Sequence, residues 1–334
     1  MSEEKKFPAK KSRNPFMQFI GNNIGILIAL IVMCVFIAVV EPRFLQSKNI
    51  FNIIRSISIT GILAFGMTLC IIINGIDLSQ GSVVGLTACF CAWMITSAGA
   101  PFWLAIICSL IVGSLCGVFN GAFLANTSLP PFVVTLSSQL IARGACYVIT
   151  RGNMINIDPK FGNLGNGYVL KVIPNTVIYL LIIYIFMLLL LSKTRFGRYV
   201  YAIGGNREAA RFSGINIKKV TWIVYTISGC LAAICGVISA SRITTGQPTT
   251  GNGMEFDAVA ACYLGGISYM GGEGRMGSTL LGAIVLGVLA NGMSMLHIPW
   301  YVQNIAKGLI ILAAVFFDVA RKEKGWGLKK SSKE

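Results

Sequence analysis

The chain has 334 residues, of which 55% are apolar and only 12% charged, where an average soluble domain carries about a quarter charged residues. That gap argues against a soluble enzyme. The formal charge of +16 would suggest a nucleic-acid binder in a polar chain, but apolar runs longer than about 18 residues recur throughout, so the bilayer is the solvent to reason with and the excess base marks sidedness.

Taken in chain order, the apolar runs, broken at Gly, Pro and charge, predict an all-α polytopic membrane protein with ten spans. They cover residues 16–40, 51–73, 81–98, 102–125, 131–150, 174–192, 220–241, 256–271, 278–296 and 300–318. The first is too long for a secretory h-region and reads as a retained span. The third and eighth are short and rich in Gly, Ser or Ala, which suits re-entrant or broken helices held among neighbours as well as lipid-facing rods. The ten cysteines fall inside these runs as small buried hydrophobes, and with one histidine no metal site is expected.

Lys and Arg near span ends stay on the cytoplasmic side. Five lie before residue 15 (Lys5, Lys6, Lys10, Lys11, Arg13), seven between spans six and seven (Lys193, Arg195, Arg198, Arg207, Arg211, Lys218, Lys219) and six after residue 320 (Arg321, Lys322, Lys324, Lys329, Lys330, Lys333). All three regions are therefore expected in the cytoplasm, which six spans before the 193–219 loop and four after it permit. The domain layout is a basic tail over 1–15, one transmembrane domain over 16–320 and a second basic tail over 321–334. The breaks at 74–82 and 271–278 resemble each other in layout, and in this topology they would relate the halves as parallel repeats.

Gly272 to Gly277 formally matches G-x-G-x-x-G, but no strand precedes it, and Gly277-Ser278 lacks the Lys of a phosphate loop. A tight turn between spans is expected there, and the chain has no P-loop of its own. In the 193–219 loop, Gly204-Gly205 permit unusual backbone angles, Asn206 is an N-cap, Glu208 sits in the first turn, Ala209 and Ala210 propagate a helix and Gly214 stops it. So short a helix needs something to dock against; the residues alone fit a docking site or a solvated basic loop. Within the membrane region Asp77 at a Gly-flanked break is the leading polar candidate, with Asn74, beside a purely structural capping role for the carboxylate. Arg143 and Lys307 would line a cavity or pair with a carboxylate. Phe132, Tyr263 and Tyr269 could offer aromatic faces to a sugar ring, or simply pack between helices. Trp93, Trp103, Tyr168, Trp222, Trp300 and Tyr301 read as interface anchors, and His297 as an interface residue.

Asn74-Gly75-Ile76-Asp77-Leu78-Ser79, Thr194-Arg195-Phe196-Gly197, Tyr201 to Asn206 and Glu208-Ala209-Ala210-x-x-Ser213-Gly214-Ile215 resemble the permease subunits of bacterial ATP-binding-cassette importers for ribose, xylose, galactose and related monosaccharides. The likeness runs from about residue 16 to 320. It implies a non-catalytic subunit of the bacterial inner membrane that forms the path for a monosaccharide. Asn206, Arg207, Glu208, Ala209, Ala210 and Gly214 would form the coupling element that meets a cytoplasmic ATPase, although the Ile-x-Leu-Pro that extends this element in other importers is missing. A second permease copy, a periplasmic or lipid-anchored binding protein and membrane lipid are the implied partners, with ATP-Mg held by the ATPase and no cofactor or nucleic acid bound by this chain. The competing reading of the residues is a secondary transporter acting alone.

Overall fold

The structure is a computed structural model that describes residues 15–170 and 172–323; the two basic tails fall almost wholly outside the described residues. Helices α1 (Pro15–Val40) and α2 (Ser47–Ile72) are joined by a 3-10 turn over Pro42–Leu45, in which the Glu41 carboxylate accepts from Arg43 N–H. There follow α3 (Gln80–Thr96), α4 (Phe102–Asn126), α5 (Pro131–Thr150), the single turn α6 (Asn163–Asn166) and α7 (Asn175–Lys193). Then come α8 (Arg195–Gly205), α9 (Arg207–Phe212), α10 (Ile217–Ile243), α11 (Met254–Leu264), α12 (Met276–Met295) and α13 (Trp300–Glu323). Two short antiparallel ladders pair β1 (Ile155–Asn156) with β4 (Thr245–Gly246) and β2 (Tyr168–Val169) with β3 (Ile173–Pro174). The all-α polytopic expectation holds: among the described residues, eight helices are long and apolar enough to cross a bilayer. The two short spans are α3, with 17 residues, and α11, with 11.

Helices α2 and α10 form the centre, and α10 packs most extensively on α4. The reason is legible in α4. Gly113, Gly117 and Gly121 recur every fourth residue on one face, so backbones can touch, while Ile107, Ile111, Leu115, Phe119 and Phe123 are exposed on the other. A Cβ on Gly117 would meet the Tyr225 carbonyl, and one on Gly229 the Gly113 carbonyl, both backbone atoms with nowhere to move. Gly117→Leu is expected to force the crossing apart at a cost of about 1–3 kcal/mol or more. Thermal unfolding in detergent checks it, with the outward Leu115→Ala as a control expected within about 0.5 kcal/mol of the parent.

α3 and α11 start in the interior. Gln80 Nε2 donates to Leu63 O (3.3 Å) and to Ser228 Oγ (2.8 Å), about 14 Å before the end of α2 and about 16 Å into α10 at 1.5 Å per residue. That is close to half the depth of a hydrocarbon core roughly 30 Å thick. The start of α11 lies beside it, since a Cβ on Gly81 would strike the Glu255 carboxylate and Gly251 O. From this common level α3 runs toward the ladders, where Thr96 Oγ1 donates to Asn156 O (2.7 Å). α11 runs the opposite way, bringing Cys262 Sγ within 3.3 Å of Thr68 Oγ1 near the end of α2.

The parallel relation between 74–82 and 271–278 is not found. Those stretches meet at the α8–α9 end, where a Cβ on Gly271 would strike the Asn74 side chain and Gly272 N–H donates to Ile72 O (2.8 Å) just before the first stretch; Gly271 and Gly272 serve turns, with φ of 74° and 70°. The half-helices α3 and α11 instead run in opposite senses from a common level. Each is followed by a hairpin carrying a related hexapeptide, Gln139-Leu-Ile-Ala-Arg143-Gly144 on α5 and Gln303-Asn-Ile-Ala-Lys307-Gly308 on α13.

Candidate functional site

Between α2 and α3 the chain turns back into the bundle. Asn74 takes the left-handed conformation (φ 62°), which Asn tolerates better than most residues, and its Nδ2 donates to Gly204 O of α8 (3.0 Å). The Ile76 carbonyl accepts from Tyr225 Oη of α10 (3.3 Å). Asp77 follows, fully enclosed. One carboxylate oxygen accepts from Ser79 N–H (3.1 Å) and Ser79 Oγ (2.5 Å), the other from Ser228 Oγ (2.6 Å). Asn120 of α4 donates to Ser79 Oγ (2.9 Å), with Asp77 Oδ1 3.5 Å away. Asp77 is thus a tie between the start of α3, α4 and α10, and sits inside the protein where the sequence placed it at a break between spans.

The second half-helix has its own carboxylate. Gly253 (φ 79°) turns the chain into α11, and Gln139 Nε2 of α5 donates to Glu255 Oε1 (2.9 Å). Arg143, one turn further along α5, donates through Nη1 to Pro248 O (2.5 Å) and Thr250 O (2.8 Å), with Nη2 3.3 Å from Gly81 O. Its guanidinium therefore clips the approach to α11 onto the start of α3. Lys307 Nζ pairs with Asp257 Oδ1 at 2.7 Å. The N-terminal, partly positive ends of both half-helices converge at mid-depth, with Asp77 and Glu255 beside them.

At the α8–α9 end the 193–219 segment is helical over most of its length. Thr194 Oγ1 accepts from Gly197 N–H (3.1 Å) to start α8, and Asn206 Oδ1 accepts from Ala209 N–H (2.9 Å) to start α9, the N-cap read from the sequence. Gly214 ends α9 with φ 79°, and Asn216 caps α10. Gly204 and Gly205 close α8 with no positive φ. Gly204 is needed for close approach instead, because a Cβ there would meet Ile72 O and the Gly272 nitrogen. Tyr201 Oη donates to Gly274 O (2.7 Å); burial holds its phenol above the ordinary range, with Arg275 opposing the shift. Ala210 faces inward, Arg207, Glu208 and Ala209 face out, and Phe212 beside them is 80% exposed.

Asn74 and Arg207 line one cavity of about 440 Å³ with Thr127, Pro130 and Tyr225, so the break and the α8–α9 segment meet. Arg143 belongs to the mid-depth cluster. Phe132 lies exposed on the first turn of α5, Tyr263 on α11 is partly buried, Tyr269 is exposed in the turn after it, and no ring pairing joins them among the described residues. Sequence reasoning missed Ser228 and Asn120, which hold Asp77, the helix α8 and the exposed Phe212. For α8 the signal was present: Thr194 followed by Phe196, Val200 and Ile203 at helical spacing.

Residues 49–315 match the family described as the branched-chain amino acid transport system / permease component. The chain belongs to this permease family. It is 41% identical over 297 residues to the ribose import permease protein RbsC of Haemophilus influenzae, a match covering 87% of this chain and 91% of that one. Its identity to RbsC of Bacillus subtilis is 39%, over 90% of this chain and 93% of the relative. The xylose transport system permease protein XylH of Escherichia coli is 33% identical, again over 90% and 93%. No solved structure matches the chain. As a member of the permease family it is a multi-pass membrane protein, and the half-helices, their carboxylates and the α8–α9 segment all fall within the matched residues.

Proposed function

We propose that the chain is the permease subunit of an ATP-driven importer of a monosaccharide of the ribose or xylose kind. Two copies form the path in the inner membrane, a cytoplasmic ATPase holding ATP-Mg docks on Arg207 to Gly214, and a separate binding protein delivers the sugar on the opposite side. The basic α8–α9 end faces the cytoplasm, as do both termini. The observation that carries the mechanism is the hydrogen bond from Asn74 to Gly204, which ties the docking segment to the break leading to Asp77 and α3. A push on α9 passes through α8 to the Asn74 turn and thence to a half-helix that begins at mid-depth. Coupling requires an interaction that differs between two states of the path, and a half-helix seated on hydrogen bonds can move as a unit where a continuous span cannot. This chain binds and moves; the phosphoryl chemistry belongs to its partner.

The relatives' printed names support the sugar class, and identity spread over nearly the whole chain supports the shared role. Reconstitution into liposomes with the ATPase and the binding protein tests the reading: ribose or xylose should accumulate only with ATP and Mg²⁺ on the cytoplasmic side. Uptake driven by an ion gradient with no ATPase present would replace it with a secondary transporter.

A further inference from the structure

A cavity of about 620 Å³ opens between α11 and α13, outside the Asp77 tie and the docking segment. It is lined by Asn252, Phe256, Asp257, Trp300, Asn304 and Lys307, and the Lys307–Asp257 pair at its wall is about one-quarter exposed. α11 starts at mid-depth, and Lys307 lies seven residues into α13, about 10 Å from its end. An accessible ion pair and amides at that depth find no partners in hydrocarbon. α13 itself separates two faces. Trp300, Asn304, Lys307, Gly308 and Ile311 follow helical spacing along the cavity, whereas Ile305, Leu309, Leu312 and Phe316 form an apolar, exposed stripe displaced by about 100°.

We infer that this cavity is a water-filled station of the translocation path, built to take a neutral polyhydroxylated solute; the solute class rests on the permease reading above. Asp257 accepts from hydroxyls, Lys307 donates to them, and the amides of Asn252 and Asn304 do both. The exposed Trp300 and Phe256 rings give apolar faces to the C–H side of a sugar. The volume lies within the range of small-molecule sites, so one monosaccharide fits with water around it. The face of α11 and α13 that carries the cavity is turned to the aqueous path, and the Ile305–Leu309–Leu312–Phe316 stripe is turned away from it.

Cysteines placed at adjacent positions of the full chain, in membrane vesicles, separate water from lipid at nearly equal depth. A membrane-impermeant anionic thiosulfonate reacts with a thiolate, which forms only where water reaches. Asn304→Cys and Gly308→Cys should label at least tenfold faster than Ile305→Cys and Leu309→Cys, measured against the background of the native cysteines. Equal rates within each pair, or no labelling at 304 and 308, would overturn the water-filled cavity. The solute assignment is read in the reconstituted importer. Asn304→Leu should lower monosaccharide uptake at least tenfold while ATP hydrolysis stimulated by sugar-loaded binding protein stays within twofold of the parent. Unchanged uptake, or a parallel fall in both activities, would overturn the solute station. Rapid labelling of Asn304→Cys together with no monosaccharide import by the parent chain would keep the water and reject the permease reading together with the sugar.

Discussion

Asp77→Leu is expected to remove most of the folded protein from the membrane. The substitution leaves Ser79, Asn120 and Ser228, all buried, without the acceptor that orients them, and puts a branched side chain among polar groups. Leaving a buried neutral donor without its acceptor costs about 1–3 kcal/mol, and the carboxylate serves two hydroxyls and a backbone N–H, so the sum approaches the whole stability of many domains. Asp77→Asn keeps the shape and one acceptor oxygen, and should fall between the parent and the leucine variant. Membrane abundance and the aggregation temperature in detergent read both. Parent-like stability of Asp77→Leu would show that the carboxylate is not the tie between α3, α4 and α10.

Glu208→Lys is expected to abolish uptake while the protein stays folded and in the membrane. Glu208 is about two-thirds exposed, and its only ion pair among the described residues is the i,i+3 contact with Arg211 at 3.6 Å, worth about 0.2–0.5 kcal/mol. Its loss hardly touches the fold. Reversing the charge on a docking surface costs at least about 2 kcal/mol, or roughly thirtyfold in affinity for the ATPase. Co-purification of the ATPase and ATP-dependent uptake measure it. Normal uptake by the variant would remove the coupling assignment.

The bundle was legible in the sequence because long apolar runs are a local signal. Even the anomaly was visible, since the two short, small-residue-rich runs, open to a broken or a lipid-facing reading, are the half-helices α3 and α11. The N-cap at Asn206 and the stop at Gly214 were readable for the same reason: cap chemistry is decided within four residues. What could not be read was what Asp77 touches. Its partners stand 43 and 151 positions away, and neither Asn120 nor Ser228 differs in type from many other polar residues in the spans. The opposed running sense of α3 and α11 was hidden behind a likeness between two glycine-rich turns, which share a steric need and not a place in the architecture.

The reach of Asp77 to Ser228 also bears on how the protein is made. A ribosome adding about 5–20 residues per second delivers α10 roughly ten to thirty seconds after Asp77 emerges, and until then the carboxylate has no Ser228 to accept from. The first five helices therefore cannot complete the Asp77 network during their own synthesis, because its α10 member arrives last. A nascent chain arrested before residue 217 should remain accessible to protease around Asn74, and lengthening it through α10 should close that window.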